Sequence, residues 1–70
     1  MNQIVKLKTK FITLGQLLKL INKISSGGEV KAFISTHQIT VNKEIEKRRG
    51  RKLYDGDIIE IENESYQVNC

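Results

Sequence analysis

Proline and tryptophan are absent from this chain, and cysteine and histidine occur once each. A lone Cys70 excludes an intramolecular disulfide, so the fold is not built for an oxidising compartment. One His and one Cys, far apart, offer no metal-ligand spacing. His37 has no nucleophile in a suitable constellation and reads as a residue that ends a helix. Cys70 sits at the terminus, where a side chain is rarely held rigidly enough for catalysis. Neither a Walker loop nor a dinucleotide fingerprint occurs. No apolar run approaches the ~20 residues that span a bilayer, and residues 1–12 interleave lysines with apolar groups too closely for a signal peptide. The only aromatics are Phe11, Phe33, Tyr54 and Tyr66. Three of them are expected to be structural, so no stacking platform of the single-strand type is expected. These absences argue against an enzyme, a metal, a cofactor, a membrane protein and a small-molecule substrate. The expected setting is the cytoplasm, and the expected state a monomer.

What is present is positive charge. Seventy residues make one domain, with 12 Lys and Arg against 8 Asp and Glu, a formal net charge of +4 and a pI near 9.4. That balance favours a polyanionic partner. The charge is concentrated at Lys47-Arg48-Arg49-Gly50-Arg51-Lys52, five cations in six residues. Arginine makes forked contacts with phosphate, and a loop held by a scaffold is where binding groups usually sit. Lys31 and Lys43 extend the patch across neighbouring elements.

The flanking sequence predicts the scaffold. Residues 3–8 alternate as a strand, with Val5 and Leu7 on one face. Thr13-Leu14-Gly15-Gln16 has the capping-box pattern that starts a helix. Leu14, Leu17, Leu18, Ile21 and Ile24 recur at helical spacing, and Leu20 widens the stripe. Ser25-Ser26-Gly27-Gly28 breaks that helix, and residues 29–36 form a second, short one with Val30, Phe33 and Ile34 inward. Ile39-Thr40-Val41 is a strand, Asn42-Lys43 a two-residue turn, and a second short strand follows near Glu44-Ile45. After the basic loop and an Asp55-Gly56 turn, residues 57–61 read as a buried strand and Tyr66-Gln67-Val68 as the last one. Asp55 and Asp57 are expected to serve turn geometry, and Glu60, Glu62 and Glu64 a solvated strand face. The sum is an α+β domain: two short helices packed on a small, mostly antiparallel sheet.

Four blocks of this sequence, within residues 12–61, carry a likeness. They are Leu14-Gly15-Gln16-Leu17-Leu18, then Ser26 through Ile34, then Ile39-Thr40-Val41-Asn42-Lys43, then Leu53 through Ile61. Their order resembles the αL-type RNA-binding domain named for small-subunit ribosomal protein four, the S-four domain. A bare single domain with the basic run before its Gly-Asp turn looks like the stand-alone type of that family. The resemblance implies structured RNA as partner, ribosomal RNA above all, and a part in ribosome assembly or maturation. It implies RNA contact at the first helix start (Thr13, Gln16), the second helix start (Ser26, Gly27, Gly28, Lys31) and the turn after the Val-Asn strand (Asn42, Lys43). The family's usual basic residues are replaced here by Thr13 and Gln16, its usual Arg by Gly27, and its usual glycines by His37 and Lys43. More of the binding is therefore expected from Lys47, Arg48, Arg49, Arg51 and Lys52, with Lys31 and Lys43 assisting.

Three other readings share parts of the pattern. A ubiquitin-like sulfur carrier also has a Val-Asn-x-Glu-Ile hairpin and an Asp-Gly-Asp-x-Ile turn, but acts through a C-terminal Gly-Gly where this chain ends Asn69-Cys70. A protein-interaction module would dock its basic loop on an acidic partner. A DNA-binding regulator would need a longer second helix with more base-reading side chains.

Overall fold

The structure is a computed structural model, and it describes residues 2–70. Seven strands and two helices follow one another as β1 (Asn2–Lys6), β2 (Phe11–Thr13), α1 (Leu14–Leu20), a single 3₁₀ turn (Gly27–Glu29), α2 (Val30–Thr36), β3 (Ile39–Val41), β4 (Glu44–Ile45), β5 (Lys52–Tyr54), β6 (Ile58–Ile61) and β7 (Glu64–Asn69). Five strands form one sheet in the order β1-β7-β6-β3-β4, and β2 pairs with β5 in a separate ribbon. All pairings are antiparallel except β1 with β7. The fold is thus the expected α+β arrangement, with one parallel edge pair.

Helix α1 begins as its sequence dictates. Thr13 Oγ1 accepts the Gln16 N–H, and Gln16 Oε1 accepts the Thr13 N–H, which closes the capping box. It ends earlier than the apolar spacing predicts. Asn22 takes a left-handed conformation, φ 63°. The Asn22 N–H then bonds the Lys19 carbonyl and the Lys23 N–H the Leu18 carbonyl, a Schellman stop. Ile24 therefore lies beyond the helix, though still buried, while Leu20 is exposed. Leu14, Leu17 and Leu18 are fully buried, and each contributes about 1.5–3 kcal/mol by leaving water.

They pack with Val30 and Ile34 of α2, with Ile12 and Leu53 of the ribbon, and with Ile39, Val41, Ile59, Ile61, Tyr66 and Val68 of the sheet. Val5 joins this core and Leu7 packs against it. Phe33 is only partly buried, and its ring lies flat against the His37 ring at the helix end, 4.0 Å between centroids.

The tight turns are marked by positive φ. Asn42 and Lys43 have φ of 51° and 76°, both central positions of a hairpin turn that twists with its strands. Gly56 has φ 89° in the Asp-Gly turn. Glu62 has φ 55°, and the chain folds back there so that Ile61 pairs with Glu64. Glu60, Glu62 and Glu64 therefore occupy a strand, a turn and the next strand, not one strand face as their alternation predicts.

Candidate nucleic-acid interface

The basic run does not hang free. Its backbone is docked on the start of α1: the Arg51 carbonyl accepts the Leu14 N–H at 2.9 Å, and the Arg49 carbonyl accepts the Gly15 N–H at 2.9 Å. With the Gln16 N–H on Thr13 Oγ1, the first three amides of α1 are all occupied from within the chain. The approach is not so close that it requires glycine at position 15. A Cβ there would lie 3.4 Å from a Val30 methyl and 3.5 Å from the Arg49 carbonyl oxygen.

The loop is held from its other side by a carboxylate that the sequence reading passed over. Glu46 is 6 % exposed, the one buried charged residue among the described residues. Its Oε2 accepts the backbone N–H groups of Lys47 (3.1 Å) and Arg48 (2.9 Å) and the Arg48 Nε (3.0 Å). Its Oε1 accepts Arg48 Nη2 at 3.2 Å and Arg51 Nη1 at 2.7 Å. The bonded Arg48 guanidinium, with Arg51 beside it, holds the Glu46 carboxyl down at about 2 against the opposing effect of burial. The signal available beforehand was position alone: Glu46 is the acid nearest the run, two residues before Arg48.

This pinning sorts the cations. Arg51 is inward, with a side chain 35 % exposed, and Arg48 keeps 75 % exposure while paired. Lys47 and Arg49 line a groove of about 420 Å³ against α2, together with Lys31, Ser35 and the edge of Ile34. Arg48, Gly50, Arg51, Lys52 and Tyr54 line a second groove on the other flank of the loop. Lys52 is in strand β5 rather than in the loop, because its segment pairs with β2.

The remaining expected residues lie elsewhere or are engaged. Ser26, Gly27 and Gly28 are exposed before α2, and the hydroxyls of Ser25 and Ser26 donate to Glu29 there. Gly27 and Gly28 have open space where a Cβ would be. Asn42 donates Nδ2 to Asp57 Oδ1 at 3.1 Å and accepts the Ile58 N–H at 3.0 Å. Asp57 Oδ2 in turn accepts the Tyr54 N–H at 2.8 Å. The Val-Asn and Gly-Asp turns, the most specific part of the sequence pattern, are thus stitched to each other. Lys43 lies 3.6 Å from Glu60 and lines a third groove with Asn42, Ile58, Glu60 and Ser65, apart from the two basic grooves.

Comparison with known proteins agrees with this architecture. The model of the S4 domain matches residues 5–69. The chain belongs to the S4 domain family. Within it, the chain is 54% identical over 65 residues, spanning 91% of its own length and 92% of the relative's, to a Bacillus subtilis (strain 168) protein named "Probable ribosome maturation protein RlbA". S4 membership displaces the ubiquitin-like reading, which rested on the same hairpin and Gly-Asp turn. For this S4 domain no group of His, Cys, Asp and Glu able to hold a metal occurs among the described residues, and no helix there is long and apolar enough to cross a membrane.

Proposed function

We propose that this S4-domain chain is a non-catalytic RNA-binding protein that recognises structured ribosomal RNA during ribosome maturation. It acts in the cytoplasm as a monomer, without cofactor or small-molecule substrate. The observation that carries the reading is the groove between α2 and the pinned loop, where Lys31, Lys47 and Arg49 converge. Three cations lining one groove offer a track for successive phosphates, and a loop whose backbone is bonded within the chain needs little ordering on binding. The name of the Bacillus subtilis relative supports ribosome maturation as the setting. Lys31, Lys47 and Arg49 are the leading phosphate contacts. Arg48 and Lys52 add to them from the second flank, and Arg51 chiefly holds the loop. Thr13, Gln16, Ser26, Gly27 and Gly28 flank this track at the starts of the two helices, and Asn42 and Lys43 offer a separate contact at their own groove.

The test is a titration against folded ribosomal RNA fragments, an unstructured single strand and a DNA duplex, each at two salt concentrations. Preference for folded RNA is expected, with a salt dependence equivalent to ~3–5 neutralised phosphates. Equal, weak binding to all three would reduce the charge to a general attractor.

A further inference from the structure

The β2–β5 ribbon shows a feature that the phosphate track does not use. Phe11 and Tyr54 are directly paired across it, as are Thr13 and Lys52. Between them lie Ile12 and Leu53, which point into the core. The opposite face is therefore an outward aromatic pair: Phe11 is 38% and Tyr54 50% exposed, with ring centroids 5.8 Å apart and planes tilted by 49°. Lys52 Nζ lies 5.1 Å from the centre of the Phe11 ring. Tyr54 also closes the second basic groove, about 530 Å³, whose other walls are Arg48, Gly50, Arg51 and Lys52. Its backbone is clamped, the N–H on Asp57 Oδ2 and the carbonyl on the Asp57 N–H. The nearby Asp55 accepts the Cys70 N–H.

We propose that this face is a stacking site for an unpaired nucleobase. The base lies on Tyr54 with Phe11 as its side wall, and Lys52 and the exposed Arg48 face the flanking phosphates. Charge complementarity selects this occupant: an aromatic surface at the mouth of a cationic groove matches a base attached to a phosphate chain. A base inside a duplex has both faces stacked on its neighbours, so the site would sense a bulge or an unpaired end beside the structured segment held by the α2 groove. The inference rests on the RNA-binding reading and adds a specificity to it.

The experiment compares a short blunt RNA hairpin, its strands joined by a non-nucleotide linker, with the same hairpin carrying an unpaired uridine tail. Proteins are the native chain, Tyr54→Leu, Tyr54→Phe and Lys47→Glu/Arg49→Glu, with thermal melting to verify that each is folded. The tailed hairpin is expected to bind the native chain about 5- to 100-fold more tightly than the blunt one. Tyr54→Leu abolishes that advantage and Tyr54→Phe keeps it, the ratio of tailed to blunt affinity being the readout. Because the chain has no Trp and two Tyr, a Tyr66→Phe background leaves Tyr54 as the sole reporter, and the tailed hairpin quenches its emission. The proposal is overturned if the native chain binds both hairpins equally, or if Tyr54→Leu keeps the tail advantage. If in that case the charge reversal still removes binding to both hairpins, the phosphate track stands and the stacking site alone falls. If the native chain binds neither hairpin, both readings fall.

Discussion

Two loops of this molecule join strands and are held by a carboxylate, and they are held for different ends. At the 55–57 turn, Asp57 spends its oxygens on the Tyr54 N–H and the Asn42 amide, and Asn42 spends its own oxygen on the Ile58 N–H. These bonds stitch two turns together. At the 46–51 loop, Glu46 also receives two backbone amides, but it further neutralises part of a guanidinium pair and leaves Lys47 and Arg49 facing a groove. The first loop is structure throughout. The second fixes a backbone in order to present charge. The side chains of the more recognisable pattern, Asn42 and Asp57, are thus engaged within the chain, whereas the basic loop leaves Lys47 and Arg49 lining a groove.

The comparison is broken most severely at Glu46. Glu46→Ala strands two amides and a half-buried Arg51, and is expected to cost about 2–4 kcal/mol, read as a lowered denaturation midpoint. A pH signature accompanies it. Because the folded carboxyl is depressed to about 2 from an ordinary 4.5, its contribution is present in full above the ordinary value and is lost as pH falls through that interval. Acid unfolding followed by circular dichroism should show this drop, and Glu46→Gln should flatten it.

Charge reversal at Lys47 and Arg49 tests the presenting role. RNA affinity should fall by more than about tenfold, the salt slope should shrink by roughly one unit for each lost phosphate contact, and the melting temperature should hardly move. Asn42→Gly keeps the positive φ of the turn and removes the stitch. It should cost about 1–2 kcal/mol of stability and leave the salt slope of RNA binding intact. Smallest of all is Lys43→Ala. Its pairing with Glu60 is largely in water, with Lys43 84% exposed, and exposed pairs contribute about 0–1 kcal/mol. A double-mutant cycle with Glu60→Ala would measure that coupling.

Much of the scaffold was legible in short stretches. The Thr13–Gln16 box, the Asn42-Lys43 turn and the 58–61 strand depend on neighbours within a few residues, so local residue types carry their signal. The α1 stop was harder, since Asn22 reads as an ordinary polar residue unless its left-handed conformation is foreseen. The β2–β5 ribbon was missed because Phe11-Ile12-Thr13 is too short to show a period, and its partner Lys52-Leu53-Tyr54 sits at the end of a charge run. The same miss hid the aromatic face: Phe11 and Tyr54 were counted separately, and only cross-strand pairing makes them neighbours.

The sequence by itself determined the family, the α+β composition, the core-facing leucines and the site of concentrated charge, because each follows from residue type and local spacing. Tertiary structure alone decided which cations of the run are bound up within the chain. That choice depends on Glu46 being carried out of water to meet Arg48 and Arg51, and on the Arg49 and Arg51 carbonyls finding the amides of α1. Burial sets the strength of an ion pair and backbone docking sets its place, and neither quantity is a property of any short stretch of chain.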